Sequence, residues 1–225
     1  MNLAKKKGFE LADEEKFALE VKGEHLAAVK AIFVPRIYRA PKEMQYRIQW
    51  MEEHTLALKA KLCKNRFPDI PDAYLIPVKL TKQGKVNIAK LGKAYIEDFW
   101  NDRGNWTQFT SKQQFEQQAA GLYDETEVNA NTDMKWPLAS VKQQFPGSIH
   151  EDIYYLVIGG NHGIAAVKMF LEEKGRDAWH PNLLFRNSKL YINVSDKLAV
   201  KIGKLSSDAA ENVWGTDVYV KVTQI

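Results

Sequence analysis

YYLVIGGNHGIAAVKMFLEEKG, Tyr154 to Gly175, is the stretch on which the reading of this chain turns. Tyr154 to Ile158 is a continuous apolar run rich in aromatic and β-branched side chains, the pattern of a strand buried on both faces. Gly159 and Gly160 break the run, and Asn161, His162 and Gly163 carry the chain into a new period. Ile164, Val167 and Leu171 then recur at helical spacing beside Ala165, Ala166 and Phe170, and Gly175 stands where a helix C-cap belongs. The stretch therefore predicts a strand, a glycine turn and a helix in succession. That geometry aims the N–H groups of the helix start, and its positive dipole end, at whatever occupies the turn. The natural guest is an anion, phosphate above all. A strand-to-helix turn also needs glycine simply to turn, and neither the Rossmann nor the P-loop fingerprint is present. The residues specify a kind of site before they specify an activity.

The chain around this stretch has 225 residues, enough for one large domain or two small ones, and its 45% hydrophobic content supports a sizeable core. One cysteine, Cys63, excludes an internal disulfide framework and fits a reducing compartment; an ordinary helix thiol is favoured over a nucleophile there. No apolar run approaches the ~18 residues of a membrane span, and the opening MNLAKKKGFELADEEKF lacks a signal-peptide core. The expectation is an intracellular protein, cytoplasmic or nuclear, with no membrane contact. A net charge of +4, with Lys and Glu interleaved, permits contact with nucleotide or nucleic acid without demanding it.

Upstream, Ala18 to Val21 reads as a short strand, His25 to Lys30 as a helical turn and Ala31 to Val34 as another strand, ended by Pro35. Arg36 and Arg39 lie between Pro35 and Pro41, just ahead of a long helix in which Met44, Ile48, Met51, Leu58 and Leu62 share a face. That helix should stop by Arg66, before Phe67-Pro68, and Tyr74 to Leu80 is the next strand, with an edge or bulge at Pro77. From Thr81 to His150 polar residues dominate, with helices predicted at Val86–Trp100, Ser111–Leu122 and Trp136–Phe145; Trp100, Trp106 and Trp136 would give this insertion a small core of its own. Downstream, Trp179 to Phe185 reads as extended, Lys189 to Val194 as a strand, and Ser195 as the cap of a helix with Leu198, Ile202 and Leu205 on its stripe. A separate helix, Ala209 to Trp214, and a final alternating strand, Asp217 to Thr223, complete the reading.

Taken in order, VPRIYR before a helix, the strand ending IPVKL, YYLVIGGNHGIAAVKMF and NVSDKLAVKIGKLSSD resemble the ParB/sulfiredoxin-like superfamily over about Ile32 to Leu80 and Tyr154 to Ser207. The resemblance implies an α+β fold, a small mixed sheet with packed helices, whose core comprises residues 1–80 and 151–225, with 81–150 as a helical insertion. It implies a nucleoside triphosphate, ATP or CTP, as ligand. Its phosphates would lie on Gly159, Gly160, Asn161, His162, Gly163 and Ile164, clasped by Arg36 and Arg39. His162 is the candidate for proton transfer. An arginine fork suits a terminal phosphate because it binds two oxygens at once. The chain departs from the family where it matters: Asn161 replaces the sulfiredoxin catalytic cysteine and Gly163 the motif arginine, so sulfinic-acid reduction is not expected. An NTP hydrolase or phosphotransferase remains open.

Phosphoryl chemistry brings Mg²⁺, for which Glu43, Glu52 and Glu53 are candidates against a solvated helix face, and His150-Glu151-Asp152 is a polar cluster better read as a loop. Two other readings stand beside nucleotide binding. One is a DNA- or RNA-binding module using Lys82, Lys85, Lys90, Lys93, Arg103 and Lys112 with Trp100 and Trp106. The other is a catalytically silent scaffold whose insertion, 81–150, meets a protein partner.

Overall fold

Seven consecutive buried residues, Ile153–Gly159, form β5, the strand around which the rest is layered. The structure, a computed structural model, describes residues 13–46, 52–64, 71–86, 88, 91–92, 95–118, 153–175 and 181–214. In chain order these give α1 (Asp13–Glu24), β1 (Leu26–Phe33), β2 (Ile37–Arg39), α2 (Glu52–Lys64), β3 (Ala73–Leu80), α3 (Ile96–Asn101), β4 (Trp106–Gln108), α4 (Lys112–Gln118), then β5. After β5 come α5 (Asn161–Lys174), α6 (Pro181–Leu184), β6 (Phe185–Tyr191) and α7 (Asp196–Trp214). The fold is α+β, with an open, mixed, six-stranded sheet in the order β1-β6-β3-β5-β2 and β4 added to β3.

β5 is antiparallel to β3 and parallel to β2, so the strands on either side of residues 81–150 are direct neighbours. Its side chains alternate between two cores. Ile153, Tyr155 and Val157 face a cluster with Leu58 and Leu62 of α2 and Ile164, Val167 and Phe170 of α5. Tyr154, Leu156 and Ile158 face a second cluster with Trp100, Ala199 and Ile202. Covering both faces is what lets seven residues in a row be apolar or glycine.

β3 is interior, although it contains a proline. Beyond β5, its other side pairs with β6 over Ala73–Leu75 and with β4 over Val78–Leu80. Pro77 falls in the gap between those ladders, where a residue with no N–H is tolerated.

Several local expectations are corrected. Ala18 to Val21 is helical, within α1, and Leu26 to Lys30 belongs to β1, because an antiparallel ladder with β6 from Leu26↔Tyr191 to Phe33↔Phe185 overrides local preference. Met44 does not share a helix face with Leu58 and Leu62. It ends a single 3-10 turn, Lys42–Met44, and lies in the opposite core from Leu58 and Leu62 of α2, Glu52–Lys64; Ile48 and Met51 lie outside the described residues. Of the helix expected over Val86–Trp100, the described residues show 3-10 conformation at Gly84–Val86, Ile88 and Tyr95 and α-helix only in α3. Trp100 and Trp106 join the sheet's second core rather than a core of their own. Pro181–Leu184 is a helical turn, the strand after it begins at Phe185 rather than Lys189, and α7 runs unbroken through Ser207 and Asp208. Ser195 does cap α7, its hydroxyl accepting from the Leu198 amide at 3.3 Å. Ser111 likewise accepts from the Gln114 amide at 3.2 Å at the start of α4. Trp136–Phe145, His150–Asp152 and Asp217–Thr223 lie outside the described residues.

Candidate functional site

Gly160 makes the turn possible. It caps α5 at φ 84°, a left-handed conformation that costs glycine nothing, and it has no side chain to occupy the helix start. The helix's own ladder opens with Ile164 N–H on the Gly160 carbonyl at 3.1 Å, so the amides of residues 161–163 are presented ahead of it. Gly159 is needed for a different reason, close packing: a Cβ there would stand 2.4 Å from Ser206 Cβ on α7. Gly203, one turn earlier on α7, would set its Cβ 2.7 Å from the Ile158 carbonyl oxygen. The two glycines let α7 lie directly on the end of β5.

Arg39 closes β2 opposite Val157, two residues short of Gly159, or about 7 Å along the strand. Its Nε donates to Gln45 Oε1 at 2.9 Å, and its Nη1 stands 3.6 Å from the largely exposed Glu97 carboxylate. Gln45 is itself buried and donates back to the Ala40 carbonyl, so its amide is fixed and holds the guanidinium in place. Arg36 is elsewhere. It precedes Ile37, which pairs with Tyr155, so it lies roughly 16 Å from Gly159 along the strands. There its guanidinium covers the Tyr154 ring at 4.5 Å. The two arginines expected to act together are at opposite ends of the strand.

Beside β2, at the edge of the sheet, a cavity of about 480 Å³ opens between α3 and α5. Its polar side chains are Arg39 and Glu97 with Asn161 and Lys168 of α5, and its walls include the Tyr38 and Trp100 rings with Ile164 and Val157. The rings of Tyr38 and Trp100 stand 5.1 Å apart. Asn161 Oδ1 is buried and has no hydrogen-bond partner among the described residues. Lys168 reaches around the edge strand, donates to the Ile37 carbonyl and sets its ammonium over the Tyr38 ring at 4.3 Å. Burial pulls its pKa down to about 8, with Glu172 pulling the other way. Burial also raises the Tyr38 phenol.

His162 projects from the other side of α5. Its ring meets His54 of α2 edge-on, centroids 5.0 Å apart, so it contributes a backbone amide to the helix start while its ring packs between helices. Gly163 and Ile164 are buried against the core. Glu43, Glu52 and Glu53 are exposed, and no three His, Cys, Asp or Glu side chains converge among the described residues. Cys63 is an exposed thiol on α2. Of the residues considered for nucleic acid, Trp100 and Trp106 are buried, Arg103 pairs with Asp196 at 2.9 Å, and Lys112 donates to the Gly23 carbonyl at 3.0 Å. Lys90 and Lys93 lie outside the described residues. No helix among the described residues is long and apolar enough to cross a membrane.

Sequence reasoning missed Lys168, Gln45 and Glu97. For Lys168 the signal was faint: Ile164, Ala165 and Leu171 at helical spacing are apolar, but Glu172 four residues on makes it read as an ordinary surface ion pair. Comparison of the chain with protein-family models, with curated proteins and with solved structures found no match.

Proposed function

We propose that this chain binds a nucleoside triphosphate, ATP or CTP, in the cavity beside β2, as a divergent relative of the ParB/sulfiredoxin-like proteins. One observation carries the reading: the start of a 14-residue helix and two cationic side chains, Arg39 and Lys168, converge on one cavity of about 480 Å³. That volume falls in the range that holds a small organic ligand. The phosphates sit at the Asn161 end, where helix dipole, backbone amides and the Arg39 fork add. The Tyr38 and Trp100 rings form the apolar wall against which a base packs. A bound anion also offsets the burial cost that Lys168 bears at neutral pH. Mg²⁺ typically takes one or two carboxylates and several phosphate oxygens, and Glu97 is the carboxylate at hand. Arg36 takes no part.

Calorimetric titration of ATP and of CTP, with and without Mg²⁺, tests this. Saturable binding is expected, weakened about ten-fold by Arg39→Ala and unaltered by Arg36→Ala. A folded wild-type chain that binds neither nucleotide contradicts the proposal. Loss of binding in Arg36→Ala with none in Arg39→Ala contradicts the assignment of the cavity.

A further inference from the structure

Lys168 has more to offer the cavity than charge. Among the described residues it bonds the Ile37 carbonyl, lies on the face of Tyr38 and feels the Glu172 carboxylate only at longer range than an ion pair. The cavity wall around it is apolar, with Ile37, Val157, Ile164 and Ala165. A desolvated amine in such a wall is the setting in which a lysine turns nucleophile toward carbonyl groups.

The spacing adds a second requirement. Lys168 follows Asn161 by seven residues, two turns or about 10 Å of helix, and its side chain leans back toward the helix start. The amine bonds the carbonyl of Ile37, two residues before Arg39 and so about 7 Å from it along β2. A ligand that places an anion at Arg39 and Asn161 and a carbonyl at Lys168 therefore spans about that distance. A short sugar phosphate does so, and so does a single ring bearing a phosphate and an aldehyde.

We propose that the cavity also takes a phosphorylated aldehyde or ketone and that Lys168 Nζ captures its carbonyl carbon as an imine. The neutral amine's lone pair forms the C–N bond while the C=O π pair moves to oxygen. The carbinolamine oxygen, protonated, leaves as water as the nitrogen lone pair makes C=N, and hydrolysis reverses the step. Amine and carbonyl give imine and water, with no change of oxidation state. The titratable and charged groups that share the cavity with the amine are Tyr38 and Arg39 on β2 and Glu97 on α3, with Glu172 on its own helix; Arg39 stays protonated and supplies charge alone. With its pKa drawn down by burial, a useful fraction of Lys168 is neutral near pH 7 to 8. This inference rests on the same cavity and anion end as the nucleotide reading but gives Lys168 a different part, nucleophile rather than counter-charge.

The test uses the full chain with pyridoxal 5′-phosphate as probe and pyridoxal as its phosphate-free counterpart, each followed by borohydride reduction and peptide mass mapping. One adduct per chain on Lys168 is expected, formed about ten-fold more readily with the phosphate than without it and slowed to a similar degree by Arg39→Ala. ATP should protect the site. Lys168→Arg, which keeps the charge but cannot form the imine, should lose that adduct while a thermal melt shows it folded. Labelling spread over the surface lysines, or equal labelling by both probes, overturns the inference. If ATP binds by calorimetry while Lys168 is not selectively trapped, the inference fails and the nucleotide reading stands. If Lys168 is trapped with phosphate preference while no nucleotide binds, the reverse holds.

Discussion

Gly159→Ala separates this packing from any in which the glycine merely turns the chain. Gly159 is not among the residues with positive φ, so alanine adds no backbone strain there. The cost is steric alone. The new Cβ would stand 2.4 Å from Ser206 Cβ and 2.5 Å from Ser206 Oγ, about 1 Å inside ordinary contact, whereas Tyr74 Cβ at 3.2 Å is a mild crowding. Ser206 is buried on α7, and its Cβ cannot rotate away. Overpacking of this kind costs about 1–3 kcal/mol. For a chain of this size that is a fall of roughly 2–12 °C in Tm. Ser206→Gly removes both colliding atoms and costs roughly half a kcal/mol in helix propensity. The double variant Gly159→Ala/Ser206→Gly should then be close to Ser206→Gly alone, with a coupling of at least about 1 kcal/mol, read from urea denaturation of the four proteins. Additive losses would mean that α7 does not lie on the glycine turn, and the geometry of the site would have to be redrawn.

Gly160→Ala should lower stability by about 1–2 kcal/mol through its left-handed φ of 84° rather than through a clash, since the nearest atom to a Cβ is 3.4 Å away; a Gly160→Asn variant losing no less than alanine would argue against this. Gln45→Leu, which keeps the volume but frees the Arg39 guanidinium and strands the Ala40 carbonyl, should weaken nucleotide binding several-fold, and unaltered affinity in a folded variant would show that Gln45 does not position Arg39. Lys168 should leave a signature in stability against pH. Its pKa is about 8 folded and 10.5 unfolded, so between those values the unfolded chain holds the extra proton and stability gains by roughly 1–3 kcal/mol as pH rises. The gain should vanish in Lys168→Met, and identical pH profiles would show that the amine is not desolvated.

The strand, turn and helix from Tyr154 to Gly175 were legible because each carries its own period and because the strand is covered on both faces, which leaves an unbroken apolar run. The position of the helix start, just after Gly160, followed from the same residues. The swap of helix and strand between Ala18 and Lys30 was not legible, since β1 is fixed by a ladder with β6, more than a hundred and fifty residues away. Met44 fits a helical repeat with Leu58 by number alone; the extended backbone at Gln45 (φ −101°, ψ 131°) breaks the helical period directly after it. Arg36 and Arg39 look equivalent in sequence; only the register of β2 on β5 assigns one to each end. Lys168 and Glu97 line one cavity because α3, from residues 81–150, covers the edge strand, an arrangement no local pattern encodes.

The most direct test of the central claim is an amide chemical-shift titration of the ¹⁵N-labelled chain with ATP and with CTP. Saturable shifts are expected, confined to the amides of Asn161, His162, Gly163 and Ile164 and to those of Tyr38 and Arg39 across the cavity. Amides at the α5 start that stay fixed while the nucleotide binds, or that shift no more than the exposed surface of α1 and α2, would contradict it.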